Sequence, residues 1–273
     1  MIVRHRQGFT LIEMIIAIVL TGIVVSMVGL FIRQPIQAYF DVAHRAEITD
    51  TADTAIRRIV RDVHSALPNS IRQPDTSCLE FLPTKTGGRY RADVPGVPLL
   101  INTAITSFDF IGALSATPVA GDRVVVDNEG STGRDAYSGN NVATVTAATA
   151  SSITFNPMTF TSDSPGHRFH VIPKDGLGVT YVCSLGSPAI DANGDGTGVL
   201  VRYANYGIIA AAPATCPAIP AGTPVLARNV SSCRFTYASG VTERSGLVSI
   251  RLGLTMGNET ATIFNQVHVN NAP

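Results

Sequence analysis

Hydrophobic and polar positions change rhythm twice along the chain. From Phe9 to Ile32 the residues are almost all apolar, and Glu13 is the one charge before Arg33. As a helix this run reaches about 36 Å at 1.5 Å per residue, enough to cross a hydrocarbon core of roughly 30 Å with some tilt. Helix is the expected form because hydrocarbon offers no partners to unpaired backbone groups. Pro35 lacks an N–H and turns Gln34 away from helical geometry, so a kink or break is expected there. Between Asp41 and Leu67 the apolar positions Ala52, Ala55, Ile56, Ile59, Val60, Val63 and Leu67 recur at helical spacing. This is an amphipathic stripe, with Arg57, Arg58, Arg61 and Asp62 on the other face, and Pro68-Asn69 closes it.

From Cys78 the rhythm changes to short alternating runs. Strands are expected at 78–82, 123–128, 167–172 and 178–185, with a turn at Gly87-Gly88 and one or two strands in the loop-rich stretch 94–121. Residues 141–156 look like a hairpin, and 198–209 a strand interrupted at Asn205. Later strands fall at 233–238, 247–256 and 260–269. In the last two, Val248, Ile250, Leu252, Leu254 and Met256 share one face, as do Ala261, Ile263, Val267 and Val269. Short turns between them favour an antiparallel meander whose apolar face the 41–67 helix can cover. The expected class is α+β. A long N-terminal helix, transmembrane over 9–33 and amphipathic over 34–68, packs on an antiparallel β-sheet within a β-rich domain of 69–273. A β-rich inserted subdomain is expected at about Gly112 to Pro173.

Charge and chemistry narrow the picture. Twenty basic and twenty acidic side chains balance, so nothing favours a nucleic-acid partner. Cys78, Cys183, Cys216 and Cys233 are well separated, without the close pairs of a zinc ribbon. In an oxidising compartment they suggest disulfides in one of three connectivities. Cys183 with Cys216 would staple the Pro/Ala-rich loop between them and leave Cys78 and Cys233 to pair or stay free. Asp191, Asn193, Asp195 and Thr197 set oxygens at alternating positions with Gly196 sixth, like the first half of a calcium loop. Arg202 stands where a bidentate Glu belongs, and the bland alternative is an acidic turn closing a hairpin. Apart from that possible calcium, no cofactor is expected. His167 and His170 would point to opposite faces of a strand, and His44 and His64 have no catalytic partners on their helix. No nucleophile elbow, zincin, Walker or dinucleotide motif is present, so no enzyme is expected.

Glu13 is the anomaly. A charge inside a membrane helix costs on the order of 3 kcal/mol and marks function by default. It either snorkels to the interface or has a cationic partner. A cut between Gly8 and Phe9 would create one, an α-amine at Phe9 that could neutralise Glu13 of a neighbouring subunit. An ordinary signal peptide is cleaved after its apolar region, whereas this candidate cut precedes it.

The segment QGFTLIE resembles the cleavage site of type IV prepilins and type II secretion pseudopilins, with Gly8, Phe9 and Glu13 in the family's positions. The resemblance implies a pilin-like fold and a leader at 1–8 removed by a prepilin peptidase. It also implies N-methylation of Phe9 and a role for Glu13 in subunit register. Arg4, His5 and Arg6 before the apolar run put the N-terminus in the cytoplasm, with the later residues in the periplasm if the cell is Gram-negative. Residues 31–41, 46–72 and 78–92 further resemble MshO-type minor pilins of the mannose-sensitive haemagglutinin (MSHA) pilus system. That implies a low-abundance subunit near the pilus tip that helps initiate assembly. Its partners would be other minor and major pilins, inner-membrane lipid and the assembly platform. The alternatives are a J-type minor pseudopilin, a tip adhesin and a membrane-anchored exported enzyme. Neutral charge and the absence of Trp give the adhesin no support.

Overall fold

The computed structural model of the chain describes residues 8–240, 245–269, 271 and 273. Residues divide into two units, Met1–Glu47 and Ile48–Pro273. The first contains most of helix α1 (Leu11–His64), which runs through Pro35 without the expected break. Proline removes one hydrogen bond of the ladder, and the turns on either side keep theirs. The helix also ends earlier than Pro68, at His64. Every large apolar side chain described between Phe9 and Val42 is exposed.

In the second unit, the part of α1 from Ile48 onward buries Ile48, Ala52, Ala55, Ile56, Ile59 and Val63. The stripe covers an antiparallel sheet in the order β1-β8-β9-β10-β11-β12. Its strands are β1 (Cys78–Phe81), β8 (Val179–Ser184), β9 (Gly198–Ala204), β10 (Val225–Ala238), β11 (Gly246–Met256) and β12 (Glu259–Val269). Alternation sets the register of β11 and β12. Val248, Ile250, Leu252 and Leu254 are buried and unbroken pairing runs from Gly246↔Val269 to Met256↔Glu259. β9 stops where Asn205 takes a left-handed φ of 63°, the expected interruption.

Asp62 is not on a solvated face. It accepts hydrogen bonds from the Tyr181 hydroxyl at 2.8 Å and Arg202 Nε at 2.7 Å, and pairs with Arg58 at 3.2 Å. The helix turns just enough to bring this carboxylate over the edge of the apolar stripe. Burial and the adjacent Asp62 push the Tyr181 phenol well up, so it remains a donor.

Between β1 and β8 the chain builds a closed barrel in the order β2-β3-β6-β5-β4-β7. These are β2 (Thr86–Tyr90), β3 (Ala104–Ile111), β4 (Arg123–Val126), β5 (Val142–Ala148), β6 (Ser152–Thr159) and β7 (Arg168–Ile172). The inserted unit therefore begins at Thr86 rather than near Gly112, because β2 and β3 are needed to close it; closure removes exposed edges. Gly87 and Gly88 are not a turn but the middle of β2. A Cβ on Gly87 would sit 2.9 Å from the Phe169 carbonyl, and one on Gly88 2.8 Å from Leu114. Glycine here permits close approach within a strand. Phe108, Phe110, Phe155, Phe160 and Phe169 fill the barrel with Tyr90. Its entry and exit lie together, since Phe81 pairs with Val179. The joint to the sheet is polar as well as apolar. Asn128 Nδ2 donates to Pro68 O at 2.6 Å, the Tyr137 hydroxyl to Ser70 O at 2.9 Å, and the Arg72 guanidinium lies 3.4 Å from the Tyr137 ring centroid.

The disulfides are Cys78–Cys216 and Cys183–Cys233, not Cys183 with Cys216. Sheet pleating decides this. Cys78 pairs in register with Val182, so it shares the outer face with Val182, Val201 and Cys216. Cys183, one residue on, points to the helix-covered face, where Cys233 also packs. β-Bulges bend β10 past the end of β9, and its free edge is taken by Thr76, whose carbonyl accepts from Phe235 N. The closed loops span 138 and 50 residues. Loop-closure entropy gives each bond on the order of 4 kcal/mol. Non-reducing peptide mapping is expected to recover Cys78 linked to Cys216 and Cys183 linked to Cys233; a Cys183–Cys216 peptide would contradict the face assignment.

Candidate functional site

The N-terminal site begins outside the helix. Gly8 and Phe9 precede α1 in non-helical, exposed chain, and among the described residues beyond its chain neighbours no atom lies within 4 Å of where a Gly8 Cβ would stand. The bond between them is therefore open to solvent. Helix starts at Leu11 because Thr10 caps it. Its Oγ1 accepts from the Glu13 N–H at 3.3 Å, and its carbonyl accepts from Met14 N at 3.2 Å. Thr10-Leu-Ile-Glu13 is the spacing of a capping box, a signal legible in the sequence and missed there. A carboxylate in a first turn also meets the positive end of the helix dipole. Glu13 is thus at home in the helix and out of place only in hydrocarbon. Arg4, His5 and Arg6 lie outside the described residues.

Behind Glu13 the helix is suited to an apolar surrounding. Leu11–Gly29 has a mean hydropathy of 2.6 and none of it is buried. Its two hydroxyls are satisfied within the helix: Thr21 Oγ1 donates to Ala17 O at 2.7 Å, and Ser26 Oγ reaches Gly22 O at 2.9 Å. Such back-bonding leaves no hydroxyl donor unpaired in lipid.

The other candidates are dispersed. In the Asp191–Thr197 loop, Asp191 Oδ1 accepts from the N–H groups of Asn193 and Asp195, each at 2.9 Å. These bonds hold the Asp191 carboxyl below the usual carboxylate range. Asp195 Oδ1 accepts from Gly257 N at 2.8 Å and Thr197 Oγ1 donates to Pro188 O at 2.6 Å. The loop thereby plugs into the β11–β12 turn. Among the described residues no group of three or more His, Cys, Asp or Glu side chains gathers as a metal centre. His167 bonds Asp163 at 3.3 Å just before β7, while His170 sits on β7 opposite Gly87.

Residues 3–29 match the family model of the prokaryotic N-terminal methylation motif. The match covers Gly8, Phe9, Glu13 and the apolar part of α1, and leaves the β-rich unit untouched. No curated protein and no solved structure matches the chain.

If the 191–197 oxygens serve the fold, Ca²⁺ will leave the thermal midpoint of the protein unchanged. Asp195→Ala will lower it by a few degrees, since losing the hydrogen bond to the half-buried Gly257 N–H costs about 1 kcal/mol. A Ca²⁺-dependent rise abolished by Asp195→Ala would contradict the structural assignment.

Proposed function

We propose that the chain is a prepilin-like subunit that is inserted in the inner membrane, cut between Gly8 and Phe9, N-methylated at Phe9 and incorporated by its helix into a filament. The observation that carries this reading is the Glu13 carboxylate on an exposed apolar helix, four residues beyond an accessible Gly8–Phe9 bond and inside the methylation motif. Hydrolysis of that bond by a prepilin peptidase frees an α-amine with an ordinary pKa near 8, and a methylated amine keeps its positive charge. An amine about 4 Å from Glu13 of the next subunit is attracted by about 4 kcal/mol at an effective dielectric of 20. That is comparable to the roughly 3 kcal/mol that the lone carboxylate costs in a membrane helix. A helix with Glu13 unpaired is therefore penalised, and one docked beside a processed neighbour is not.

In this reading the N-terminus is cytoplasmic and the β-rich unit periplasmic, and the fold is pilin-like, with a barrel set between two neighbouring strands of the sheet. The partners are the peptidase, other minor and major pilins and the assembly platform. We place the chain among MSHA-type minor pilins on the resemblance of residues 31–41, 46–72 and 78–92 to the MshO type; a J-type pseudopilin of a type II secretion system is the close alternative. The β-rich unit is assigned no catalytic role.

Glu13→Ala is expected to insert and be cleaved like the parent but to fall about tenfold or more in recovery with partner pilins, the loss of a charge pair worth a few kcal/mol. Undiminished filament number and co-purification in that variant would overturn the role of Glu13. Co-purification with secretion rather than pilus components would select the pseudopilin alternative.

A further inference from the structure

The β2–β7 pair of the barrel carries an arrangement that folding alone does not favour. Arg89 and Arg168 stand directly opposite in register, with Gly87 opposite His170 beside them. Like charges directly across a strand pair repel. Among the described residues no carboxylate pairs with Arg168, and Arg89 Nε is held by the Gly166 carbonyl at 3.0 Å. The period of two puts Lys85, Gly87 and Arg89 on the same side of β2. Lys85 is the one neutralised cation, bonded to the buried Asp122 at 3.0 Å.

Above this face opens a cleft of about 550 Å³, the size of a small-molecule site, lined by these residues and containing no Asp or Glu. Gly87 keeps it open, for any side chain there would stand over the His170 ring, whose Nδ1 lies 3.2 Å from the missing Cβ. His170 Nε2 is buried without a hydrogen-bond partner among the described residues. Burial and the Arg168 charge push its imidazole down to about 4, so at neutral pH it contributes a hydrogen-bonding group rather than a charge. Ser65, Thr84 and Ser115 also line it; their hydroxyls donate to Asp62 O, Ser65 O and Thr86 Oγ1, which leaves their oxygens as acceptors.

We propose that this cleft binds an anionic saccharide, a uronate or sulfated sugar, whose acidic group is held between Arg89 and Arg168. Guanidinium forks match carboxylate and sulfate oxygens, and the serine and threonine oxygens that line the cleft suit, as acceptors, the hydroxyls of a sugar ring. A nucleic-acid strand fits less well, because base binding needs exposed aromatic platforms. No Tyr or Trp lines the cleft among the described residues, Phe169 is buried in the barrel, and the His170 ring is half-buried. The site is independent of the assembly role of Glu13 and stands or falls separately from it.

The test is calorimetric titration of the full chain in nonionic detergent with trigalacturonate, a heparin disaccharide, neutral maltotriose and a short single-stranded oligodeoxynucleotide. At least one anionic saccharide is expected to bind about tenfold or more tightly than maltotriose, as charge-assisted hydrogen bonds imply. Arg168→Gln is expected to abolish that difference, while Arg251→Gln on the exposed face of β11 retains it. Without saccharide, Arg168→Gln will keep or raise the thermal midpoint, because it removes a repulsion; this separates lost binding from lost folding. The proposal is overturned if neither anionic saccharide exceeds maltotriose, if a folded Arg168→Gln binds like the parent, or if the oligonucleotide binds most tightly through Arg168.

Discussion

An apolar helix surface without cover constrains everything else about this chain. From Phe9 to Val42 some twenty large hydrophobic side chains are exposed, and each is worth roughly 1.5–3 kcal/mol when withdrawn from water. Among the described residues nothing withdraws them, and in the proposed function lipid and other helices do. Glu13 makes the two covers unequal. Its carboxylate is stabilised by the helix N-terminus, and Thr10 fixes the turn on which it sits. In lipid it remains a charge in search of a partner, and in the proposed function an assembled bundle with processed N-termini supplies one. The Gly8–Phe9 bond, where we propose that partner is made, lies just outside the cap.

The β-rich unit answers a different requirement. Its part of α1 is amphipathic, and Ala52 and Ala55 let the helix lie close to the sheet. Asp62 ties Tyr181 and Arg202 to the helix, while the disulfides fasten both faces of the sheet, Cys183–Cys233 under the helix and Cys78–Cys216 on the opposite side. A barrel can be set between β1 and β8 without disturbing this because its two ends are neighbours in the sheet. Being closed, the barrel adds no unpaired strand edge, and one of its strand pairs is free to carry the uncompensated Arg89 and Arg168.

Much of this was legible in the residues. The apolar run, the stripe at Ala52–Val63 and the alternation of β11 and β12 each announce their element, since burial on one face leaves a fixed period. What escaped depends on contacts far apart in sequence. Gly87-Gly88 has turn composition, but its reason is Phe169 on the paired strand. Asp62 looks solvated until Tyr181 and Arg202 arrive from β8 and β9. The disulfide pairing follows from which face of the pleat Cys78 and Cys183 occupy, and loop length says nothing of that. The loop at Asp191–Thr197 has oxygens at ligand spacing, and its composition does not show that Asp191 Oδ1 accepts from the loop's own N–H groups and Asp195 Oδ1 from Gly257 N. At the N-terminus, the methylation motif matched over residues 3–29 contains Gly8, Phe9 and Glu13, and the cap at Thr10 was overlooked.

The account stands most directly on the mature N-terminus. Mass spectrometry of the protein recovered from its native membrane should find a chain that begins at Phe9 with one methyl group on its α-amine. A chain that retains Met1 to Gly8, or one cut on the far side of the apolar run, would contradict it.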